Sequence, residues 1–158
     1  MRNIISSINT LLATLNIAIL TTIVMCVTWQ VVARFIFKSP SIFTDELSRL
    51  LFICLGLFGG AYTAGQSRHL AIDLLPMMLQ GKARRHLFLC IQAIVIVFAA
   101  LIMVYGGGLL TLDTFDSGQT SPALGWQMGY IYMSIPISGV LIIIYTVDIV
   151  LTELKQPL

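Results

Sequence analysis

Four long stretches of the chain contain no charged residue, and each is mostly apolar. The stretches are residues 3–33, 50–67, 87–112 and 117–147. A hydrocarbon core about 30 Å thick is crossed by a helix of about 20 apolar residues, and every stretch reaches or approaches that length. The pattern predicts an all-α integral membrane protein with four transmembrane helices. We place the helices at about residues 9–33, 45–67, 86–112 and 126–148.

The composition agrees with a membrane protein and leaves little chain for anything else. Of the 158 residues, 58% are hydrophobic and 10% are charged, whereas soluble domains carry about 25% charged residues. The predicted loops are too short to hold a soluble catalytic domain. We therefore expect residues 1–158 to form a single membrane domain without enzyme activity.

The first apolar stretch could also be read as a secretory signal peptide, because Arg2 precedes it. A cleavable signal has an apolar region of about 7 to 15 residues, and residues 11–33 run well beyond that length. We interpret this stretch as an uncleaved first helix.

Lysine and arginine residues are divided unevenly between the two sides of the predicted bundle. Six lie on the side of the termini and three lie on the opposite side. Because cytoplasmic flanks collect positive charge, we predict that the N and C termini are cytoplasmic. The segment at about 68–81 is apolar but too short to span, and we predict that it lies along the cytoplasmic face against membrane lipids. The basic residues after it indicate orientation rather than nucleic-acid binding.

Five charged residues are concentrated between the first two predicted helices. They are Arg34, Lys38, Asp45, Glu46 and Arg49, within sixteen positions. Charges this close to the membrane are costly unless they are paired. One interpretation is an ordinary ion pair, since Asp45 and Arg49 are four residues apart on a helix. The other is that Arg34 joins Asp45, Glu46 and Arg49 in one network that fixes how helices 1 and 2 meet.

Small residues recur every four positions along the second helix, at Gly56, Gly60 and Ala64. Such spacing lets another helix approach closely. The neighbour is either another helix of this chain or a different subunit. Gly106, Gly107 and Gly108 in the third helix either permit close packing or loosen the helix, and Pro136 is expected to kink the fourth helix.

The second outer loop, near residues 113–125, carries Asp113 and Asp116 and no basic residue. Its Gly, Pro and Ser residues are typical of turns. The loop either closes a helical hairpin or offers a docking surface.

The residues needed for chemistry or transport inside the membrane are missing from the predicted helix centres. No charged residue lies there, and Asp148 comes close to a helix end. His69 and His86 lack the spacing of metal or haem ligands, and Cys26, Cys54 and Cys90 fall inside helices, where disulfides are not expected. We expect no catalytic residue, cofactor or metal. We interpret the bilayer-buried surface as apolar throughout, as in a subunit whose partner does the transport.

An ordered set of motifs resembles the small membrane subunit (DctQ type) of tripartite ATP-independent periplasmic (TRAP) transporters. The resemblance covers most of the chain and is more specific than any single motif. The motifs are Gln30–Phe37, Ser39–Pro40, Asp45–Phe52, Gly60–Tyr62, His69–Asp73, Gly118–Leu124 and Ile135–Ile137.

The resemblance implies a four-helix subunit of the bacterial inner membrane that pairs with a large membrane subunit (M type). It implies that a periplasmic binding protein delivers an organic acid, such as a sialic acid or a C4-dicarboxylate, and that a sodium gradient drives uptake. The sodium and substrate sites are then expected on the large subunit, whose elevator-type scaffold the small subunit braces. Relatives often have two glutamates where this chain has Asp45 and Glu46.

Two other classes of protein remain open at this point. A self-contained small exporter working as a homodimer would need a membrane-embedded carboxylate to couple protons. A membrane anchor of a redox complex would need two histidines aligned within the bundle to hold haem.

Overall fold

A computed structural model describes residues 2–66 and 82–154. Within this part of the chain, four helices are long and apolar enough to cross a membrane. We call them spans 1 to 4, and they are Ile5–Phe35, Ile42–Gly65, Arg85–Asp116 and Gly129–Leu154. The prediction of an all-α membrane protein with four transmembrane helices is confirmed. The segment predicted at about 68–81 lies outside the described residues, and the cytoplasmic location of the termini stays a prediction.

Spans 1 and 2 each lie within one continuous α-helix. These are α1 (Arg2–Phe35) and α2 (Ile42–Gly65). Both extend beyond the charge-free stretches, because helical hydrogen bonds satisfy the backbone whether or not the side chains are apolar. As a result, Asp45 lies in the first turn of α2 and Glu46 follows it.

Span 3 changes its winding along its length. Helix α3 (Lys82–Phe98) passes into a π-helical segment, π1 (Ala99–Gly106), and then into α4 (Gly107–Asp116). A Cβ atom on Gly107 would lie 2.6 Å from Ile135 Cγ2 in span 4. Of the two interpretations of the glycine run, this contact supports close packing.

Span 4 is interrupted just before its only proline. A short helix, α5 (Gly129–Tyr132), is followed by Met133 and then by α6 (Ser134–Leu154), which has Pro136 in its first turn. A proline ring clashes with the carbonyl group four residues earlier, which here belongs to Tyr132, where α5 ends. The irregularity expected at Pro136 therefore occurs one turn before it.

The four spans form an open row rather than a closed bundle. Among the described residues, extended contacts run from α1 to α2, from α2 to α6, and from α6 to α3 and π1. Of the most apolar window of each span, 11% is buried in spans 1 and 3 and 22% in spans 2 and 4. The outer helices of the row are thus the less covered ones, and the described residues leave both broad faces of the row open.

The inner face of α1 follows a heptad pattern that predicts left-handed packing against α2. Ile8, Ala13 and Val32 are partly buried beside this face. The nine other partly or fully buried positions of residues 5–35 alternate in spacing between four and three residues. They are Ile5, Asn9, Leu12, Asn16, Ile19, Ile23, Cys26, Gln30 and Ala33. We call this set the α1 seam.

Replacing Gly107 with Ala should destabilise the contact between spans 3 and 4. Overpacking costs about 1–3 kcal/mol, which exceeds the gain of about 1 kcal/mol from better helix propensity. Gly108→Ala is the matched control, since no atom lies within 4 Å of a Cβ there. Thermal unfolding of the purified chain should show a lower melting temperature for Gly107→Ala only. Equal melting temperatures would contradict the close contact.

Candidate functional site at the charged end of spans 1 and 2

Asp45 and Arg49 form an ion pair on the surface of α2. Arg49 Nη2 lies 3.0 Å from Asp45 Oδ2, four residues away along the helix. The Arg49 side chain is 76% exposed and the Asp45 side chain is 50% exposed. Exposed pairs contribute about 0–1 kcal/mol in water. The pair therefore contributes little to holding the helix in place and leaves two charged side chains accessible.

The predicted network of four charged residues does not form among the described residues. Arg34 is exposed and makes no ion pair with a described carboxylate. Its neighbour Ala33 is 4% exposed and occupies the α1 seam. Successive residues of an α-helix are about 100° apart, so Arg34 projects away from the seam. The simpler interpretation, an ion pair of Asp45 and Arg49, describes the structure.

Glu46 contacts an element that its local spacing did not predict. Its Oε2 atom accepts a hydrogen bond from the backbone N–H of Ala123 at 2.5 Å, across 77 residues of sequence. Hydrogen bonds to ionised groups contribute about 1.5–3 kcal/mol. Glu46 therefore links the start of α2 to the loop between spans 3 and 4, instead of pairing with Arg49.

The loop between spans 3 and 4 has a defined shape that presents Ala123 to Glu46. The Ser121 N–H donates to the Trp126 carbonyl oxygen at 2.8 Å. Gly125 has a φ angle of 67°, in the left-handed region that glycine adopts without strain. The loop thus closes the hairpin of spans 3 and 4, one of the two interpretations of its sequence.

An open cleft of about 630 Å³ lies between the start of α2 and this loop. Asp45, Glu46 and Arg49 contribute charged groups, and Phe43 and Pro122 contribute apolar surface. The cleft gives this end of the row a surface that combines both signs of charge with apolar contact area.

Asp113 and Asp116 are exposed in the last part of α4, next to the same loop. Neither forms an ion pair with a cation of the described residues. Their carboxylates are accessible, and their role in docking stays a prediction.

The small residues of α2 divide between two environments. Gly56 and Gly60 are exposed, and no atom lies within 4 Å of a Cβ at either position. Ala64 is 5% exposed, and a Cβ on the adjacent Gly65 would lie 2.7 Å from the Tyr145 ring. Ala64 therefore packs within the chain, whereas the face with Gly56 and Gly60 is left for lipid or another subunit.

The sequence interpretation did not identify the polar residues of the α1 seam. Gln30 Nε2 donates hydrogen bonds to the Thr44 carbonyl oxygen at 2.8 Å and to Ser48 Oγ at 3.1 Å. At the other end of α1, Asn9 Oδ1 accepts a hydrogen bond from the Tyr145 hydroxyl at 2.6 Å. The expectation of an apolar surface throughout is therefore wrong for this seam.

The signal for these residues was present in their spacing. Asn9, Asn16 and Gln30 are separated by seven and fourteen residues, so they lie on one helical face. A search limited to charged residues passes over such amides.

Charged and hydrogen-bonding side chains, and free thiols elsewhere in the spans, make up the chemistry of the described residues. Within the described ranges, no three His, Cys, Asp or Glu side chains are grouped as metal ligands. Cys26, Cys54 and Cys90 are free thiols.

Comparison with known proteins matches the sequence of this chain to a family of transport proteins. The family model described as "Tripartite ATP-independent periplasmic transporters, DctQ component" matches residues 23–156. The sialic acid TRAP transporter small permease protein SiaQ of Vibrio cholerae is 27% identical over 155 residues, which are 98% of this chain and 86% of that protein.

Two further relatives extend the comparison. The ectoine TRAP transporter small permease protein TeaB of Halomonas elongata is 30% identical over 141 residues, 85% of this chain and 71% of that protein. The sialic acid TRAP transporter permease protein SiaT of Haemophilus influenzae is 29% identical over 114 residues, which are 71% of this chain but 18% of that protein. A similar sequence thus occurs within a much longer permease. The matches confirm the resemblance drawn from the motifs.

Replacing Glu46 with Ala should loosen the loop between spans 3 and 4, because the Ala123 N–H loses its acceptor. Amide hydrogens of residues 117–128 should exchange faster, as measured by mass spectrometry on the chain in lipid nanodiscs. Asp45→Ala is the control, since it removes only the exposed pair with Arg49. Unchanged exchange in Glu46→Ala would show that the hydrogen bond does not hold the loop.

Proposed function

The chain belongs to the DctQ-component family of the tripartite ATP-independent periplasmic transporters, and from this membership we propose that it braces the large membrane subunit of a sodium-coupled importer. It is a small permease subunit and a multi-pass membrane protein. In this role it is a non-catalytic component that supports the scaffold against which the large subunit moves.

The observation that carries the proposal is the open row of spans. Large apolar side chains project from its faces, including Phe52 at 67% exposure and Leu101 at 61%. A row of this kind adds surface to a larger membrane protein on one face and contacts lipid on the other. The contacts between adjacent helices hold the row together without surrounding a path for a solute.

The outer face of α2 is the surface that we assign to the large subunit (M type). Arg49, Phe52, Gly56 and Gly60 lie along one side of the helix, and all are exposed. Glycines allow close approach of a neighbouring helix, and the guanidinium group of Arg49 at the end of this face offers hydrogen bonds to a carboxylate or a carbonyl group.

Sodium and substrate handling is proposed to reside in the large subunit. Among the described residues, the middle of each span contains no carboxylate, the usual group for ion coupling inside a membrane. In this proposal the chain needs no cofactor of its own. A bound ion on the large subunit does not require a ligand from this chain.

The substrate is proposed to be an organic acid of the sialic acid or C4-dicarboxylate type, and the membrane is the bacterial inner membrane. Relatives carry names that refer to sialic acid, C4-dicarboxylate and ectoine. The periplasmic binding protein would approach the loop between spans 3 and 4, where Asp113 and Asp116 are accessible. Family membership favours this role over a homodimeric exporter or a redox anchor.

Co-expression with the large subunit tests the assignment of the α2 face. The tagged large subunit should retain this chain during purification, and Arg49→Ala should reduce the retained amount several-fold. Lys38→Ala is the matched control, because it removes a positive charge from the connector instead of the helix face. Equal losses in both variants would contradict the assignment, and sodium-driven uptake by the chain alone would overturn the proposed function.

A further inference from the structure

The cleft between the start of α2 and the loop of spans 3 and 4 has more negative than positive charge. Asp45 and Glu46 supply two carboxylates, and Arg49 supplies one guanidinium group. Arg49 pairs with Asp45. Within the described ranges, Glu46 forms no ion pair, and its hydrogen bond comes from the Ala123 N–H. Because a charge without a counter-ion is costly near the bilayer, the cleft favours an occupant that brings a cation to Glu46.

Arg49 offers the complementary group for an anion. Its side chain is largely exposed, and its ion pair with Asp45 engages Nη2. A guanidinium group carries five N–H donors, so other donors are available to the oxygen atoms of a phosphate group. Arg49 also lies about one helical turn further into span 2 than Asp45. This order suits an occupant with its anionic group nearer the membrane centre and its cationic group nearer the water.

Two exposed tryptophans indicate that the cleft lies at the level of the lipid headgroups. Trp29 is half exposed and precedes Gln30, whose amide binds the first turns of α2. Trp126 is also half exposed, and its carbonyl oxygen accepts a hydrogen bond from the N–H of Ser121, the residue before Pro122 of the cleft. Tryptophan side chains are enriched where a membrane meets water. Both walls of the cleft are therefore at this interface.

Exposed apolar side chains line the cleft and continue from it into the span. Ile42 and Phe43 belong to the cleft and are exposed. Ile53 is also exposed and follows Arg49 by four residues, on the same side of α2. A headgroup in the cleft thus has apolar surface below it for acyl chains. A soluble protein docked in the cleft would leave Ile53 uncovered.

We propose that the cleft binds the headgroup of phosphatidylethanolamine, a phospholipid with a primary amine. The phosphate group accepts hydrogen bonds from Arg49, and the ammonium group donates hydrogen bonds to the carboxylates of Asp45 and Glu46. In this lipid the phosphate is attached to the glycerol and the amine is at the water end, as the order of charges along α2 requires. The cleft volume of about 630 Å³ is in the range of about 300–1,000 Å³ that is typical of ligand sites.

The charges of the cleft distinguish this lipid from two other common phospholipids. Phosphatidylglycerol brings no cation to Glu46 and adds a negative charge. The trimethylammonium group of phosphatidylcholine has no N–H to donate to a carboxylate, so it forms no charge-assisted hydrogen bond. The inference concerns the chain by itself and does not depend on the proposed function as a brace.

Native mass spectrometry of the purified full-length chain tests the headgroup preference. The chain is released from detergent after incubation with equal concentrations of the three phospholipids, all with the same acyl chains. Phosphatidylethanolamine should remain bound to a several-fold larger fraction of the chain than either of the other two. Equal retention of the three lipids would indicate non-specific surrounding lipid only and would overturn the proposal.

Two arginine variants locate the bound lipid. Arg49→Gln should lower the retention of phosphatidylethanolamine several-fold, because the phosphate loses its donors. Arg34→Gln is the matched control, since it removes the same charge from an exposed arginine that does not line the cleft. Equal retention by the two variants would place the lipid elsewhere and contradict the site.

Glu46→Gln tests the amine contact while keeping the contact with the loop, because glutamine retains an oxygen that accepts the Ala123 N–H. The variant should reduce the preference for phosphatidylethanolamine over phosphatidylcholine several-fold. An unchanged melting temperature shows that the fold is intact, and the comparison of lipids on the unaltered chain carries the test if it changes. An undiminished preference in an intact variant would refute the ammonium contact.

Discussion

A single row of four helices has two open faces, so the apolar side chains on those faces need lipid or another protein around them. Among the described residues, the extended contacts lie between neighbouring helices of the row. Inside a bilayer the hydrophobic effect does not drive helices together, and association depends on close packing and interhelical hydrogen bonds. This dependence explains why the few polar contacts and glycines between the spans have such importance in this fold.

The hydrogen bonds that Gln30, Glu46 and Asn9 make between elements lie near the two ends of the row. At one end, Gln30 binds the first turns of α2 and Glu46 binds the loop at Ala123. At the other end, Asn9 binds Tyr145, whose ring packs against Gly65. Hydrogen bonds between membrane helices contribute about 0.6 kcal/mol on average. Several such contacts are needed to keep four spans in one arrangement. They combine with the packing of Gly107 against Ile135 and of Gly139, in α6, against Met103 of π1.

The number and type of helices could be predicted because hydrophobic length alone decides which segments cross a bilayer. The order in which the helices pack could not, since the same lengths fit a closed bundle and an open row. Spacing correctly joined Asp45 to Arg49, which are neighbours on one helix. Spacing did not give the position of Arg34. A shift of one residue along a helix turns a side chain by about 100°, which moves it from the seam to the side of the helix. The Glu46 partner is 77 residues away and leaves no local signal.

The family accounts for the charged end and the open faces together. A small permease subunit has to present surface to a larger protein while remaining anchored in the membrane. In the proposed role, the exposed face of α2, with Arg49 at one end and Gly56 and Gly60 along it, presents that surface. The amides of α1 serve a different purpose, since Gln30 fixes α1 to α2 and Asn9 fixes it to Tyr145 of α6.

Sodium-driven uptake into proteoliposomes tests the central claim most directly. The large subunit with this chain, the large subunit alone and this chain alone are each reconstituted and supplied with the loaded binding protein. The account predicts uptake by the pair, reduced or absent uptake by the large subunit alone, and none by this chain alone. Uptake by this chain alone, or uptake by the large subunit that does not change when the chain is added, would contradict it.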